Sequence, residues 1–342
     1  MAHVTGYRQQ LRRYRDRALG ALMRGLPSGG PPHLYDLVKA YPARDSKGLR
    51  AALCIASCRA FGGSTAQALN SAVALELFHN GFLVHDDLQD GSLFRRGEST
   101  LHTRYGNAIA VNVGNATHLQ ALRTLMDNGE ILGPRTTWLV MEEAERMLRH
   151  TLEGQAIELG WIFDNACELR DRDYLQMCLK KTCWYSFIHP MRVGAIVATG
   201  ARLDSERLCR FGWYLGAAFQ IQDDLLNLEG HFQAYGKEID GDLVEGKRTL
   251  MLIHLLQKCS RREKAQLRTM LGAASARRSA TNVARLRRLL KKYDSLDYAR
   301  RCGRQLAGAA FVEGLAALRD VPDGADKAFI LGTVAFVVGR DR

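Results

Sequence analysis

An all-α fold of a dozen or so helices is what the sequence predicts, on three observations. Apolar residues recur at helical spacing along most of the chain. Long alternating runs of β-branched residues are absent. Glycines and prolines fall where the periodic stretches stop. Taken in order, the first stretch carries Arg8, Arg12, Arg13, Arg15, Arg17 and Arg24. It reads as a first helix with an exposed basic face, with a membrane-surface helix as the weaker alternative. Pro27-Ser28-Gly29-Gly30-Pro31-Pro32 and Gly62-Gly63-Ser64 mark breaks. Val73, Leu77, Asn80/Gly81 and Val84 then form one helical stripe leading to Asp86. Breaks follow at Gly129 to Pro134, Gly200 and Gly272, and Pro190 lies within a helical pattern it should kink. Leu208, Phe211, Leu215 and Phe219 make a second stripe running into Asp223. After Pro322, Ala325 to about Val338 reads as a last helix. With seven prolines and no Pro/Gly/Ser-rich linker, residues 1–342 read as a single domain. Residues 1–35 would be its N-terminal helix and loop, and 36–342 its core.

Apolar residues at 46% and charged residues at 25% are ordinary for a globular chain. The net charge is +12. Arg261-Arg262, Arg277-Arg278, Arg287-Arg288 and Lys291-Lys292 carry much of it, with no interleaved aromatics, so a nucleic-acid partner is not expected. The eight cysteines include no Cys-x-x-Cys pair, and Cys54 and Cys58 find no second pair for zinc. They read as thiols of a cytoplasmic protein. No 18-residue apolar run predicts an integral membrane segment.

Two aspartate clusters carry the chemistry. Asp86-Asp87-Leu88-Gln89-Asp90 is followed by Arg95-Arg96. Asp223-Asp224-Leu225-Leu226-Asn227 is followed by Lys237 and Lys247. Asp86 and Asp90 are four residues apart and share a helix face. Crowded carboxylates repel unless a cation neutralises them. Mg2+ takes oxygen ligands and shares them with substrate phosphates. A neutral polar residue, His79 or Gln220, stands above each cluster. Two acidic helices with nearby Arg and Lys therefore predict a site for a diphosphate held through Mg2+.

The segment His79…Asp86-Asp87-Leu88-Gln89-Asp90…Arg95-Arg96-Gly97 resembles the first aspartate-rich motif of trans-type isoprenyl diphosphate synthases, nearest in pattern to geranylgeranyl and farnesyl diphosphate synthases. Phe219-Gln220-Ile221-Gln222-Asp223-Asp224, with Gly236-Lys237 and Gly241-Asp242-Leu243…Glu245-Gly246-Lys247, resembles the second. The resemblance runs from about Lys47 to the C-terminus. It implies a helical bundle around a deep central cavity, and a homodimer. It implies Mg2+-dependent head-to-tail condensation of isopentenyl diphosphate with an allylic diphosphate. Three Mg2+ ions would lie between Asp86, Asp90 and Asp223, with Mn2+ an expected substitute. Asp87, Asp224, Lys181, Thr182, Gln220 and Lys237 would complete the catalytic set. Arg95, Lys181, Thr182, Gln220, Lys237 and Lys247 would hold the allylic substrate. Lys47, Arg50, His79 and Arg96 would hold isopentenyl diphosphate.

Three departures from the family pattern stand out. Gly48 replaces the middle arginine of the segment that keeps Lys47 and Arg50, Asn227 replaces the last acid of the second cluster, and Glu158 stands where aspartate is common. An amide oxygen at position 227 could still ligate a cation, without charge. A terpene cyclase on the same scaffold is the alternative, but it has no need of a second diphosphate pocket. Product length is expected to depend on Gly81 and Phe82, five and four residues before Asp86. Gly81 would open one position while Phe82 partly fills the next. That suggests a C20 product, with C15 as runner-up.

Overall fold

Leu11, Tyr14, Ala18 and Leu22 are buried along one side of the first helix, α1 (Ala2–Gly25), which the arginines flank. The computed structural model describes residues 2–200, 202, 204–230, 239–277 and 279–339, with the backbone alone for 2–5. Among these, twelve further α-helices of eight residues or more follow. They are α2 (Leu49–Ala60), α3 (Thr65–Asp90), α4 (Asn107–Met126), α5 (Gly129–Phe163, kinked at the non-helical Gly133), α6 (Asp171–Cys178), α7 (His189–Thr199), α8 (Arg207–Glu229), α9 (Leu250–Lys258), α10 (Arg261–Gly272), α11 (Ala280–Lys292), α12 (Ser295–Ala317) and α13 (Ala325–Val338). The all-α expectation holds, and the last helix lies where the sequence places it.

Helix α3 is the central element. Ser64 and Gln67 form a reciprocal cap at its start, satisfying N–H groups that an uncapped helix leaves open. Its interior is buried on several sides, because α2 and α4 both pack on it. Buried apolar residues form two clusters. Helix α8 belongs to both, giving Phe211 and Leu215 to one and Ile221 and Leu225 to the other.

Two irregular stretches matter to the site. Pro190 has no N–H to offer Ser186, and residues Leu179–Ile188, just before it, are wound as a π-helix joining α6 to α7. The expected kink is thus taken up as a wider turn. A short hairpin pairs Phe94 with Ser99 and Arg95 with Glu98. Its turn residues, Arg96 and Gly97, have φ of 54° and 78°, as a tight type I′ turn requires.

Candidate active site

A cavity of 1370 Å³ is lined by the C-terminal part of α3, the hairpin, the N-terminus of α2, the π-helical segment and α8. Asp86 faces into it. Its Oδ2 lies 3.4 Å from Arg95 Nη2 and its Oδ1 3.6 Å from Lys181 Nζ. Asp87, one residue on, turns into the protein. It accepts the Tyr41 hydroxyl at 2.6 Å and Arg95 Nε at 2.9 Å. Asp87, expected in the catalytic set, is a buried carboxylate that anchors Arg95. Asp90 is buried at its side chain and lies 2.7 Å from Lys247 Nζ, which also reaches Glu245 at 2.7 Å.

On the opposite helix, Asp223, Asp224 and Gln220 line the cavity. Asp224 accepts the Tyr174 hydroxyl at 2.8 Å and Gln220 Nε2 at 2.7 Å. Burial, and then the charge of Asp242, push its pKa well above the usual carboxylate range. Thr182 Oγ1 donates to Gln220 Oε1 at 2.7 Å, tying the π-helical segment to α8. Lys181 pairs with Glu158 of α5. Burial works against its ammonium, but Glu158 and Asp86 outweigh that and raise its pKa. Gly154 makes this approach possible, since a Cβ there would meet Lys181 N at 2.2 Å. Asn227 is buried, and its Oδ1 accepts the Asp242 N–H at 3.0 Å. The amide therefore braces the chain after α8. Lys237 lies outside the described residues.

Lys47, Arg50, His79 and Arg96 line the same cavity. Arg50 donates to Ser186 Oγ at 2.8 Å and lies 4.4 Å from the Tyr185 ring centroid. Arg96 donates to the Tyr41 carbonyl at 3.1 Å. Burial, reinforced by Arg95, Arg50 and Arg44, lowers the Arg96 pKa to about 10, although Glu76 opposes the shift. Burial and the same cationic surroundings hold His79 well below its ordinary value, so its imidazole is neutral at pH 7. This pocket has more positive charge than its own carboxylates balance, which suits an anion.

The floor differs from the expectation at Gly81. A Cβ there would meet His118 Cδ2 of α4 at 2.4 Å, so the space beside Gly81 is filled by an imidazole. Phe82 does line the cavity. Its ring is edge-on to His118, with centroids 4.9 Å apart, and to Tyr185 at 5.6 Å. Several contributors escape a reading of the sequence. Tyr41 and Arg44 hold the hairpin, Tyr185 backs Arg50, and Arg8, Arg12 and Arg15 of α1 also line the cavity. The arginine pattern of α1 was the available signal, but it reads as a solvated face.

A family model described as polyprenyl synthetase matches residues 31–289, well over half of the chain. The chain belongs to the polyprenyl synthetase family. It is similar to a geranylgeranyl diphosphate synthase of Sulfolobus acidocaldarius, 33% identical over 272 residues, which span 80% of this chain and 81% of that protein. An octaprenyl diphosphate synthase of Escherichia coli is 28% identical over 296 residues, 86% of each chain. A geranylgeranyl pyrophosphate synthetase structure from Pyrococcus horikoshii superposes with a TM-score of 0.85 at 27% identity, covering 99% of this chain and 100% of that one. A polyprenyl synthase structure from Caulobacter crescentus, complexed with calcium and isoprenyl diphosphate, has a TM-score of 0.85 at 25% identity, with 98% of each chain covered. Like its relatives, this polyprenyl synthetase is a prenyltransferase that makes prenyl diphosphates. The family works on isopentenyl and allylic prenyl diphosphates. The relatives named here are synthases, and the cyclase alternative finds no support among them.

Proposed function

We propose that this polyprenyl synthetase joins isopentenyl diphosphate to an allylic diphosphate with the help of Mg2+, most readily forming the C20 product. What carries the reading is one cavity lined both by carboxylates, Asp86 and Asp223, and by the cations Lys47, Arg50 and Arg96. The allylic C–O bond breaks, C1 of the resulting cation bonds to C4 of isopentenyl diphosphate, and the departing diphosphate takes up the proton that is lost. Lys181 and Arg95 stand beside Asp86 and hold the leaving diphosphate. Thr182 and Gln220, bonded to each other, flank the reacting carbons.

Among the described residues, no three His, Cys, Asp or Glu side chains converge as a ready-made metal cage. Mg2+ commonly takes one or two carboxylates together with substrate phosphates, so the hard oxygens of Asp86 and Asp223 fit it without one. When bound, Mg2+ supplies charge neutralisation for the departing diphosphate.

The apolar floor supports a limited product. Phe82, packed against His118 and Tyr185, lines the cavity four residues before Asp86, which favours C20 with C15 next. A homodimer is supported by exposed Val111, Leu119, Leu122 and Met126, on one face of α4, with Trp138 at 65% exposure nearby in sequence. The deciding experiment incubates the protein with Mg2+, isopentenyl diphosphate and one allylic primer at a time, followed by product chromatography. Elongated diphosphates that vanish on chelation are expected. Conversion of a single prenyl diphosphate to a cyclic hydrocarbon, with isopentenyl diphosphate ignored, would overturn the reading.

A further inference from the structure

Gly48 is the N-cap of α2 and has a φ of 58°, in the left-handed region that favours glycine. A Cβ there would lie 2.5 Å from Arg15 Cγ and 3.2 Å from Arg15 Cα. Position 48 therefore cannot carry a side chain, because α1 already occupies the space. What α1 places there is an arginine. Arg15 lines the cavity beside Lys47, Gly48 and Arg50, and its side chain is 26% exposed. Its partners are Asp16 at 2.8 Å, Asp45 at 3.7 Å and the Ser46 carbonyl at 3.4 Å. Those carboxylates are 64% and 90% exposed, so the pairs are screened by water and readily exchanged for a stronger anion. A diphosphate is such an anion, and the planar guanidinium can bind two of its oxygens at once.

We propose that Arg15 is a further diphosphate-binding residue, supplied by α1 in place of the side chain that Gly48 lacks, and that it acts on the isopentenyl diphosphate side of the cavity. The inference rests on the assignment of Lys47, Arg50 and Arg96 to that substrate. It gives α1 a part in the site: the helix delivers a cation to the N-terminal end of α2 across a contact too close for any residue but glycine.

Two measurements test it. In steady-state kinetics, Arg15→Ala should raise KM for isopentenyl diphosphate about tenfold to hundredfold, the range of a lost charged hydrogen bond. The rise should fall on that KM rather than on kcat or the allylic KM. Arg15→Lys should recover part of the loss. Arg17→Ala, an exposed change on the same helix, should match the parent. In calorimetry without Mg2+, Arg15→Ala should weaken binding of inorganic diphosphate by a similar factor. If the parent protein fails to condense the substrates but Arg15→Ala still loosens inorganic diphosphate, the activity reading falls and the diphosphate-binding role of Arg15 stands. Unchanged diphosphate affinity, equal rises in both KM values, or the same effect from Arg17→Ala overturns the inference.

Discussion

Asp86 and Asp87 are adjacent in sequence but about 100° apart around α3. That rotation separates a carboxylate facing the cavity from one holding Arg95 and Tyr41. Asp86→Asn should lower kcat by ~10²–10³, the usual cost of one electrostatic stabiliser at a reacting centre, with little change in melting temperature. Asp87→Asn removes the buried charge that Arg95 pairs with and leaves it the longer contact to Asp86 at 3.4 Å; breaking a buried pair typically costs ~3–5 kcal/mol, so its melting temperature should drop by several degrees. Equal melting temperatures for the two variants would contradict this division. Away from the site, His189 and the Arg192–Glu143 pair form a buried polar group. Burial lowers the His189 pKa from 6.5 to about 4. The unfolded chain therefore binds a proton at His189 between those values while the folded protein does not. Stability is complete above pH 6.5 and falls as pH drops towards 4, by on the order of 3 kcal/mol at about 1.4 kcal/mol per pH unit. Burial raises the Glu143 pKa, but the hydrogen bond and charge of Arg192 outweigh it, and the net shift is downward. Its contribution is lost at still lower pH. His189→Asn should flatten the dependence of denaturation midpoint on pH between 4 and 6.5. An unaltered slope would show that other groups control it.

At the scale of elements, the site depends on helices meeting closely at chosen points. Lys181 and Thr182 lie on the π-helical segment, whose register is set beside Pro190. Gly154 lets α5 reach the backbone at Lys181, placing Glu158 beside that ammonium. The α3–α4 contact likewise bears on Gly81. The sequence suggests an open position into which a ring could be placed to shorten the product. The structure has His118 there, so Gly81→Phe should overpack the contact by roughly 1–3 kcal/mol and lower the melting temperature. Phe82→Ala, which removes a ring that does line the cavity, should lengthen the main product by at least one isoprene unit. Product chromatography and thermal melts separate these outcomes. A stable Gly81→Phe protein with a shortened product would restore the simpler reading.

Across the whole molecule, several apolar residues are left exposed, and those of α4 lie together on one face. Leu119 is 68% exposed and Met126 55% exposed. Val111, Leu119, Leu122 and Met126 recur at helical spacing, so they form a stripe rather than scattered surface positions. Leu119→Asp combined with Met126→Asp should convert a dimer into monomers in sedimentation velocity. Because α4 also carries His118 against α3, the separated chain should show reduced activity as that contact loosens. A parent protein that sediments as a monomer would sink the dimer assignment. No helix among the described residues is long and apolar enough to cross a membrane.

Periodicity and local spacing carry a great deal here. The stripe through Val73, Leu77 and Val84, the stripe through Leu208, Phe211 and Leu215, and the last helix all stand where the sequence places them. The Asp86 and Asp223 clusters are legible from spacing within one helix, Lys47, Arg50, His79 and Arg96 are what the family resemblance implies, and all six line the cavity. The contacts that refine the site join residues distant in sequence. Arg15 against Gly48, His118 against Gly81, Tyr41 on Asp87 and Asp242 on Asn227 leave no local pattern. Helical periodicity says which face of a helix is buried, but not which side chain from another helix reaches it. Only tertiary packing decides that, and here it turns one aspartate inward, fills the space beside a glycine, and brings an arginine of the first helix to the cavity.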